Sequence, residues 1–319
     1  MRKDCTRQKL IAILGPTASG KTSLAVQLAR HFRGEIISAD SRQVFRGLDI
    51  GTGKDLKEYS GSDGSGRLWR VPYHLLDVID PSEEYSLAQY QKAVLLAMAG
   101  IHQRGRIPFL AGGSGLYAQA VIDNYQLDDR GPDRELRAAL NGLSTEEIFR
   151  RLSEADPEQT YGLSASEKAN RHRLIRRLEK IKQGNNICRT GQPLFDSLVL
   201  ALSRPRSELD ERIQARLRAR LESEDLIKEV ENLLASGLSA QRLISFGLEY
   251  KYIVLYLQKK LSYEQLFEQL FIAIRQFSRR QLTWLRRWEK QGRAIHWLKD
   301  TQEALALTAD FLRAEKNAP

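Results

Sequence analysis

Eight consecutive residues, Gly15-Pro16-Thr17-Ala18-Ser19-Gly20-Lys21-Thr22, satisfy the spacing G-x-x-x-x-G-K-S/T. Glycines at both ends free the backbone, so that successive N–H groups turn inward and form an anion-binding nest. A helix starting at the end of such a loop adds its positive end to the nest. Lys21 supplies a point charge for a terminal phosphate, and the Thr22 hydroxyl suits Mg2+. The motif, which is also that of ATP-binding proteins, points to phosphate without naming a reaction. An NTPase also needs a metal-holding carboxylate and a positioned water, and a kinase needs a base near an acceptor hydroxyl.

Two further side chains belong with this loop. Asp40 follows the apolar run Glu35–Ala39. A carboxylate at the end of a strand can hold a metal or act as a general base, or it can simply close an Asx turn. Ser114 sits in the turn Gly112-Gly113-Ser114-Gly115. Its hydroxyl can face the same crevice or cap the helix expected over Leu116–Ile122.

The elements that carry these residues read as an α/β fold, a P-loop-containing parallel sheet with helices on both faces. Lys9–Leu14, Glu35–Ala39 and Ile107–Ala111 are short apolar runs, each ending in Gly, Asp or Ser, and Leu198–Leu202 adds a further strand. Helical spacing appears at Ser23–Phe32 and Ser86–Gln103. In such sheets ligands sit outside the carboxyl ends of the strands, where all three turns lie. From about residue 128 the pattern turns helical, with Asp133–Leu140, Thr145–Ala155, Ser166–Gln183, Glu208–Ala235 and Tyr263–Lys290 as helical stretches. The expected organisation is a catalytic core from 1–124 and about 198–250. A helical insertion over 125–197 and C-terminal helices over 251–319 complete it.

Charge adds a second theme. The chain of 319 residues carries a formal charge of +10, and two windows hold more than all of it. Lys168–Lys182 and Phe271–Arg293 each contain seven basic residues against one acid. Such clusters mark a polyanionic partner, or else a pair of solvated helix faces. On the helix Tyr263–Lys290, Phe267, Leu270, Ile274, Phe277, Leu285 and Trp288 fall on one side, and Arg275, Arg279, Arg280, Arg286, Arg287 and Lys290 broadly opposite. Two cysteines, Cys5 and Cys188, make neither a disulfide framework nor a zinc site. No apolar run approaches a membrane span, and the basic start Met1–Lys9 lacks the apolar region of a signal peptide. Fibrous, disordered, disulfide-stapled and membrane-spanning classes are excluded, and a cytoplasmic protein is expected.

At the P-loop and in six further places the sequence resembles the tRNA dimethylallyltransferases, or tRNA isopentenyltransferases. Besides the P-loop, DSRQVFRGLDIGTGK at Asp40–Lys54 is similar to that family's DSxxVYxGMDIGTAK, and GGSGLY at Gly112–Tyr117 to its GGTxLY. YHLLDVIDP at Tyr73–Pro81 also matches. NRHRLIRRLE at Asn170–Glu179 resembles NPxRxxRALE, and TGQPLF at Thr190–Phe195 resembles TGKPLS. IRQFSRRQLTWLRRW at Ile274–Trp288 resembles TRQxAKRQxTWxR.

The resemblance implies transfer of a dimethylallyl group from dimethylallyl diphosphate to the N6 amine of an adenosine in the tRNA anticodon loop. Asp40 would take the proton from that amine, with Ser114 hydrogen-bonding near it. Thr17–Thr22 would hold the diphosphate with Mg2+, and Arg216 would close on it. Asp40, Ser41, Arg42 and Gln43 would meet the flipped adenine. Arg137 and the run His172-Arg173-Leu174-Ile175-Arg176 would contact tRNA, as would Arg279, Arg280, Gln281, Trp284 and Arg286. Trp284 also suits a core position. The compact bacterial form, acting as a monomer, is implied. Phe246-Gly247-Leu248-Glu249-Tyr250 departs from the family's IGYKE-like run, and Asn170-Arg171 lacks its proline. The rival functions are dimethylallyl transfer to a free adenine nucleotide, a small-molecule kinase, and an RNA-binding module without chemistry.

Overall fold

The computed structural model describes residues 7–127, 131–184 and 189–314, so Cys5 and Cys188 lie outside the described residues. The chain divides into two compact units, Met1–Asp123 with Pro193–Pro319, and Asn124–Gln192.

The larger unit is built on six strands, β1 (Lys9–Leu14), β2 (Gly34–Ser38), β3 (Tyr73–His74), β4 (Ile107–Gly112), β5 (Asp196–Leu202) and β6 (His296–Leu298). They form one sheet in the order β6-β5-β1-β4-β2-β3, with every neighbouring pair parallel. All six residues of β1 are buried, because a central parallel strand is covered on both faces and so reads as a continuous apolar run. Its Ile11 lies between Phe109 of β4 and Leu198 of β5.

Nine helices of this unit are α1 (Lys21–His31), α2 (Leu87–Gln103), α3 (Gly115–Ile122), α4 (Arg206–Glu222), α5 (Leu226–Ala235), α6 (Ala240–Phe246), α7 (Leu248–Leu257), α8 (Tyr263–Lys290) and α9 (Thr301–Arg313). Leu24 and Leu28 of α1 and Ala304 of α9 share one core with Ile36, Phe109 and Leu298. Tyr90, Val94 and Met98 of α2 share the core of the other face with Val121 of α3 and Leu285 and Trp288 of α8. The front half of α8 belongs to a third core, where Leu266, Leu270 and Ile274 meet Leu217, Val230, Leu243 and Ile253. One 28-residue helix, about 42 Å long, thus ties a helical layer to the sheet. A capping box of Ser262 and Gln265 starts it.

Several elements differ from the sequence reading. The stretch Glu208–Ala235 is two helices, because the chain turns at Asp225, which adopts φ 57°. Ser166–Gln183 is likewise broken, into Ala165–Lys168 and Arg171–Lys182, with the Asn170 side chain capping the second. Residues 251–319 are not a separate region. They fall in the larger unit because β6 extends the sheet beside β5 and the end of α8 packs on the sheet face.

The smaller unit holds the helices Arg134–Leu140, Thr145–Ala155, Ala165–Lys168 and Arg171–Lys182, and Tyr125–Gln126 pairs antiparallel with Arg189–Thr190. Leu140, Ile148, Leu152, Leu174 and Leu178 form its core.

Candidate active site

The P-loop joins the buried end of β1 to α1, and its turn uses two left-handed positions, Ala18 at φ 61° and Gly20 at φ 91°. It is fixed from outside by three side chains. Gln281 of α8 accepts from the Thr17 N–H at 2.8 Å and donates to the Gly113 carbonyl at 3.0 Å, so one buried amide links the P-loop to the turn after β4. Arg204 donates to the Ser19 carbonyl at 3.0 Å, and Arg212 to the Ala18 carbonyl at 2.8 Å. The loop's carbonyls are thereby held on the arginine side.

Lys21 leaves α1 into a narrow channel and donates to the Pro16 carbonyl at 3.3 Å. Burial lowers its pKa to about 8, against the opposing pull of the Asp40 carboxylate, and Arg216 lowers it further. Thr17, Thr22 and Asp40 line the same channel. Asp40 accepts from the Arg42 N–H at 3.0 Å. The Asx turn is therefore real, and the carboxylate that closes it also faces the P-loop lysine.

Ser114 occupies the N-cap position of α3, yet its hydroxyl makes no cap hydrogen bond. It accepts instead from the Ser41 N–H at 3.1 Å. Its place is the mouth, in an outer cleft of about 830 Å³ with Ser41, Tyr117, Phe277, Arg280 and Trp284. Arg42, Phe277 and Gln281 line both spaces, so the cleft and the P-loop channel share a wall. Gln43 is less available: its amide accepts from the Ser38 hydroxyl at 2.8 Å and donates to the Gly53 carbonyl at 2.8 Å.

The far wall comes from α4. Arg216 pairs with Asp55 at 2.8 Å, and buried Arg220 lies 3.8 Å from both Asp55 and Glu249. Arg42 meets Glu249 at 3.2 Å from the opposite side. Of this wall the sequence reading named Arg216 and Arg42 and missed Arg220, Asp55, Glu249 and Tyr59. A signal was present, since Arg212, Arg216 and Arg220 recur every four residues and therefore share one helix face. Among the described residues no cluster of three or more His, Cys, Asp or Glu is arranged to hold a metal.

With this geometry in view, comparison with known proteins gives a consistent result. A sequence model of the family described as IPP transferase matches residues 43–288. The chain belongs to that family. Among its relatives, the tRNA dimethylallyltransferase 2 of Pelobacter propionicus is 45% identical over 295 residues, covering 92% of this chain and 90% of the relative. The tRNA dimethylallyltransferase 1 of Geotalea uraniireducens is 40% identical over 304 residues, 95% and 97% of the two chains. The crystal structure of a tRNA isopentenylpyrophosphate transferase from Bacillus halodurans superposes with a TM-score of 0.69 at 34% identity, covering 97% of this chain and 98% of that one. A eukaryotic dimethylallyltransferase captured acting on tRNA reaches 0.75 at 25% identity, covering 98% and 80%.

The residues expected at an RNA surface in this IPP transferase fall into three groups. Arg279, Arg280 and Arg286 are exposed on α8, and Arg280 also lies over the Phe277 ring. Gln281 and Trp284 line the cleft mouth, although the amide of Gln281 is already bonded at both ends and the Trp284 indole N–H is buried without a partner. The third group sits in the smaller unit. His172 and Arg173 are exposed there, whereas the Leu174 side chain is 1% exposed in the core, which removes it from any surface role. Ile175 packs against that core. Arg137 and Arg176 hold buried Glu179 at 2.6 and 2.9 Å. Burial pushes that carboxyl upward, and these two arginines more than reverse the effect.

Proposed function

We infer that this chain transfers the dimethylallyl group of dimethylallyl diphosphate to the exocyclic N6 amine of adenosine 37 in the tRNA anticodon loop, releasing diphosphate. One observation carries the reading: the P-loop and the Asp40 carboxylate share a channel that has a wall in common with a cleft lined by Ser114, aromatic rings and arginine. Single-stranded loops are read where bases can stack on aromatics or guanidinium planes, and a base undergoing chemistry must leave its stack. Phe277, Trp284 and Arg280 offer such partners at the mouth.

In this reading Asp40 takes the amine proton while nitrogen bonds to the allylic carbon and the carbon–oxygen bond to diphosphate breaks. Negative charge grows on the leaving oxygens, where Lys21, Arg216 and the P-loop N–H groups stabilise it. Ser114 orients Ser41 and the amine. Mg2+ fits this donor set as an ion carried by the diphosphate, with Thr22 as its protein ligand, because Mg2+ typically binds through substrate phosphates and keeps its waters. When bound it would neutralise charge on the leaving group. Among the described residues no helix is long and apolar enough to cross a membrane, and a cytoplasmic monomer supplied with tRNA is the setting we propose.

The test is incubation of the protein with undermodified tRNA and labelled dimethylallyl diphosphate, in parallel with AMP and with ATP. Label should enter tRNA alone, without ATP consumption. Asp40→Asn should lower turnover by about 10²–10⁴ while tRNA affinity stays near normal. Label in AMP would move the protein to the free-nucleotide class, and stoichiometric phosphoryl transfer to the kinases.

A further inference from the structure

Arg220 is not among the residues that the motifs single out, yet its burial sets it apart. Its side chain is 7% exposed, and its Nη2 makes no hydrogen bond. The nearest carboxylate oxygens, on Asp55 and Glu249, are 3.8 Å away, beyond hydrogen-bond reach. A buried guanidinium left in this condition is costly, since its N–H groups have lost water and gained little.

Position gives the second observation. Arg220 lines the P-loop channel together with Lys21 and Arg216. Gly53 brings the two arginines side by side, for a Cβ added there would overlap the Nη2 atoms of both. Gly53 also adopts φ 66°, so this close approach needs glycine on two counts. Four cations line the channel (Lys21, Arg42, Arg216 and Arg220) against the carboxylates of Asp40, Asp55 and Glu249. Cations outnumber carboxylates by one among these lining groups, Glu58 also acts on Lys21 and Arg216, and between Arg216 and Arg220 stands the Asp55 carboxylate.

We propose that Arg220 is a second guanidinium ligand for the diphosphate group, acting beside Arg216. The inference rests on the reading of this channel as a diphosphate seat. Paired guanidiniums in a fixed fork suit an anion with several oxygens on two phosphorus atoms better than one with a single phosphorus. Asp55 then has a defined part. Its carboxylate holds Arg216 at 2.8 Å and faces Arg220, standing where an incoming phosphate would compete for both. Diphosphate displaces it from the two arginines. The seat thus selects diphosphate over monophosphate, and it does so through residues outside the P-loop.

The experiment is calorimetric titration of the protein with inorganic pyrophosphate and with orthophosphate, both with Mg2+, on the wild type, Arg220→Met, Arg220→Lys and Asp55→Asn. Loss of a hydrogen bond between charged groups predicts about 10- to 100-fold weaker pyrophosphate binding in Arg220→Met. Partial recovery is expected in Arg220→Lys, with little change in the already weak binding of orthophosphate. Removing the competing carboxylate in Asp55→Asn should tighten pyrophosphate binding several-fold. If Arg220 merely held Asp55 and Glu249 in place, Asp55→Asn would weaken binding or leave it unchanged, and either result overturns the proposal. Unchanged pyrophosphate affinity in Arg220→Met overturns it as well. Should Arg220→Met not fold, Arg220→Lys decides, because it keeps the charge and loses the fork, and wild-type pyrophosphate affinity there overturns the proposal. A wild type that ignores pyrophosphate would instead defeat the diphosphate-seat reading itself.

Discussion

Lys21 is kept charged in a place that resists its charge. Burial lowers its pKa from 10.5 to about 8. Between those two values the unfolded chain binds a proton that the folded chain has released, so this residue makes stability rise with pH across that window and offers nothing below it. Bound diphosphate has the opposite demand, since it wants the ammonium. Two outcomes follow at this scale. Pyrophosphate affinity of the wild type should fall as pH climbs through about 8, a trend that titration calorimetry over a pH series checks. Lys21→Met should bind pyrophosphate poorly and yet melt roughly 2–4 °C higher near neutral pH, because a desolvated charge has been removed. A lower melting temperature in that variant would mean that Lys21 supports the fold as well as the ligand.

At the scale of elements, α8 sets the shape of the P-loop from 264 residues away through Gln281. Gln281→Leu leaves the Thr17 N–H and the Gly113 carbonyl without their partner. The expected loss is about 1–3 kcal/mol in urea unfolding, together with weaker pyrophosphate binding. An unchanged unfolding midpoint would show that water replaces the amide. This bridge also marks what the sequence could and could not reveal. Central strands such as Lys9–Leu14 were legible because burial on both faces writes a continuous apolar run. The motif residues Lys21, Asp40 and Ser114 were legible because short loops at strand ends bring them together locally. Tyr73–His74 and His296–Leu298 were not, since edge strands of two or three residues carry no period. Gln281 was expected to contact tRNA on the family resemblance alone, which says nothing of what its amide holds inside the fold. Only the tertiary packing of α8 against two loops shows it buried. The charge exchange among Arg42, Arg220, Asp55 and Glu249 was hidden for the same reason, as it joins four distant segments.

For the whole molecule, the surplus charge divides by use. Arg279, Arg280 and Arg286 are exposed on α8. Alanine at each should weaken tRNA binding and reduce the slope of log K against log salt by roughly 0.7–0.9 per lost phosphate contact, measured by anisotropy on an anticodon stem-loop. Arg137 and Arg176, which hold buried Glu179 in the smaller unit, should mainly reduce that unit's stability when replaced. A salt slope untouched by all three α8 substitutions would show that this helix does not carry the RNA. The reach of Gln281 across 264 residues has a further consequence, for the chain as it is being made. Translation runs from the N-terminal side, so the P-loop is made before its clamp, which arrives only after those intervening residues, roughly 13–50 s later at ordinary elongation rates. Strand β5, which must lie beside β1, is also late. Until those later segments arrive, the nascent glycine-rich loop lacks its Gln281 clamp and β1 lacks its neighbour β5. Competence for ligand therefore waits until the ribosome has passed α8.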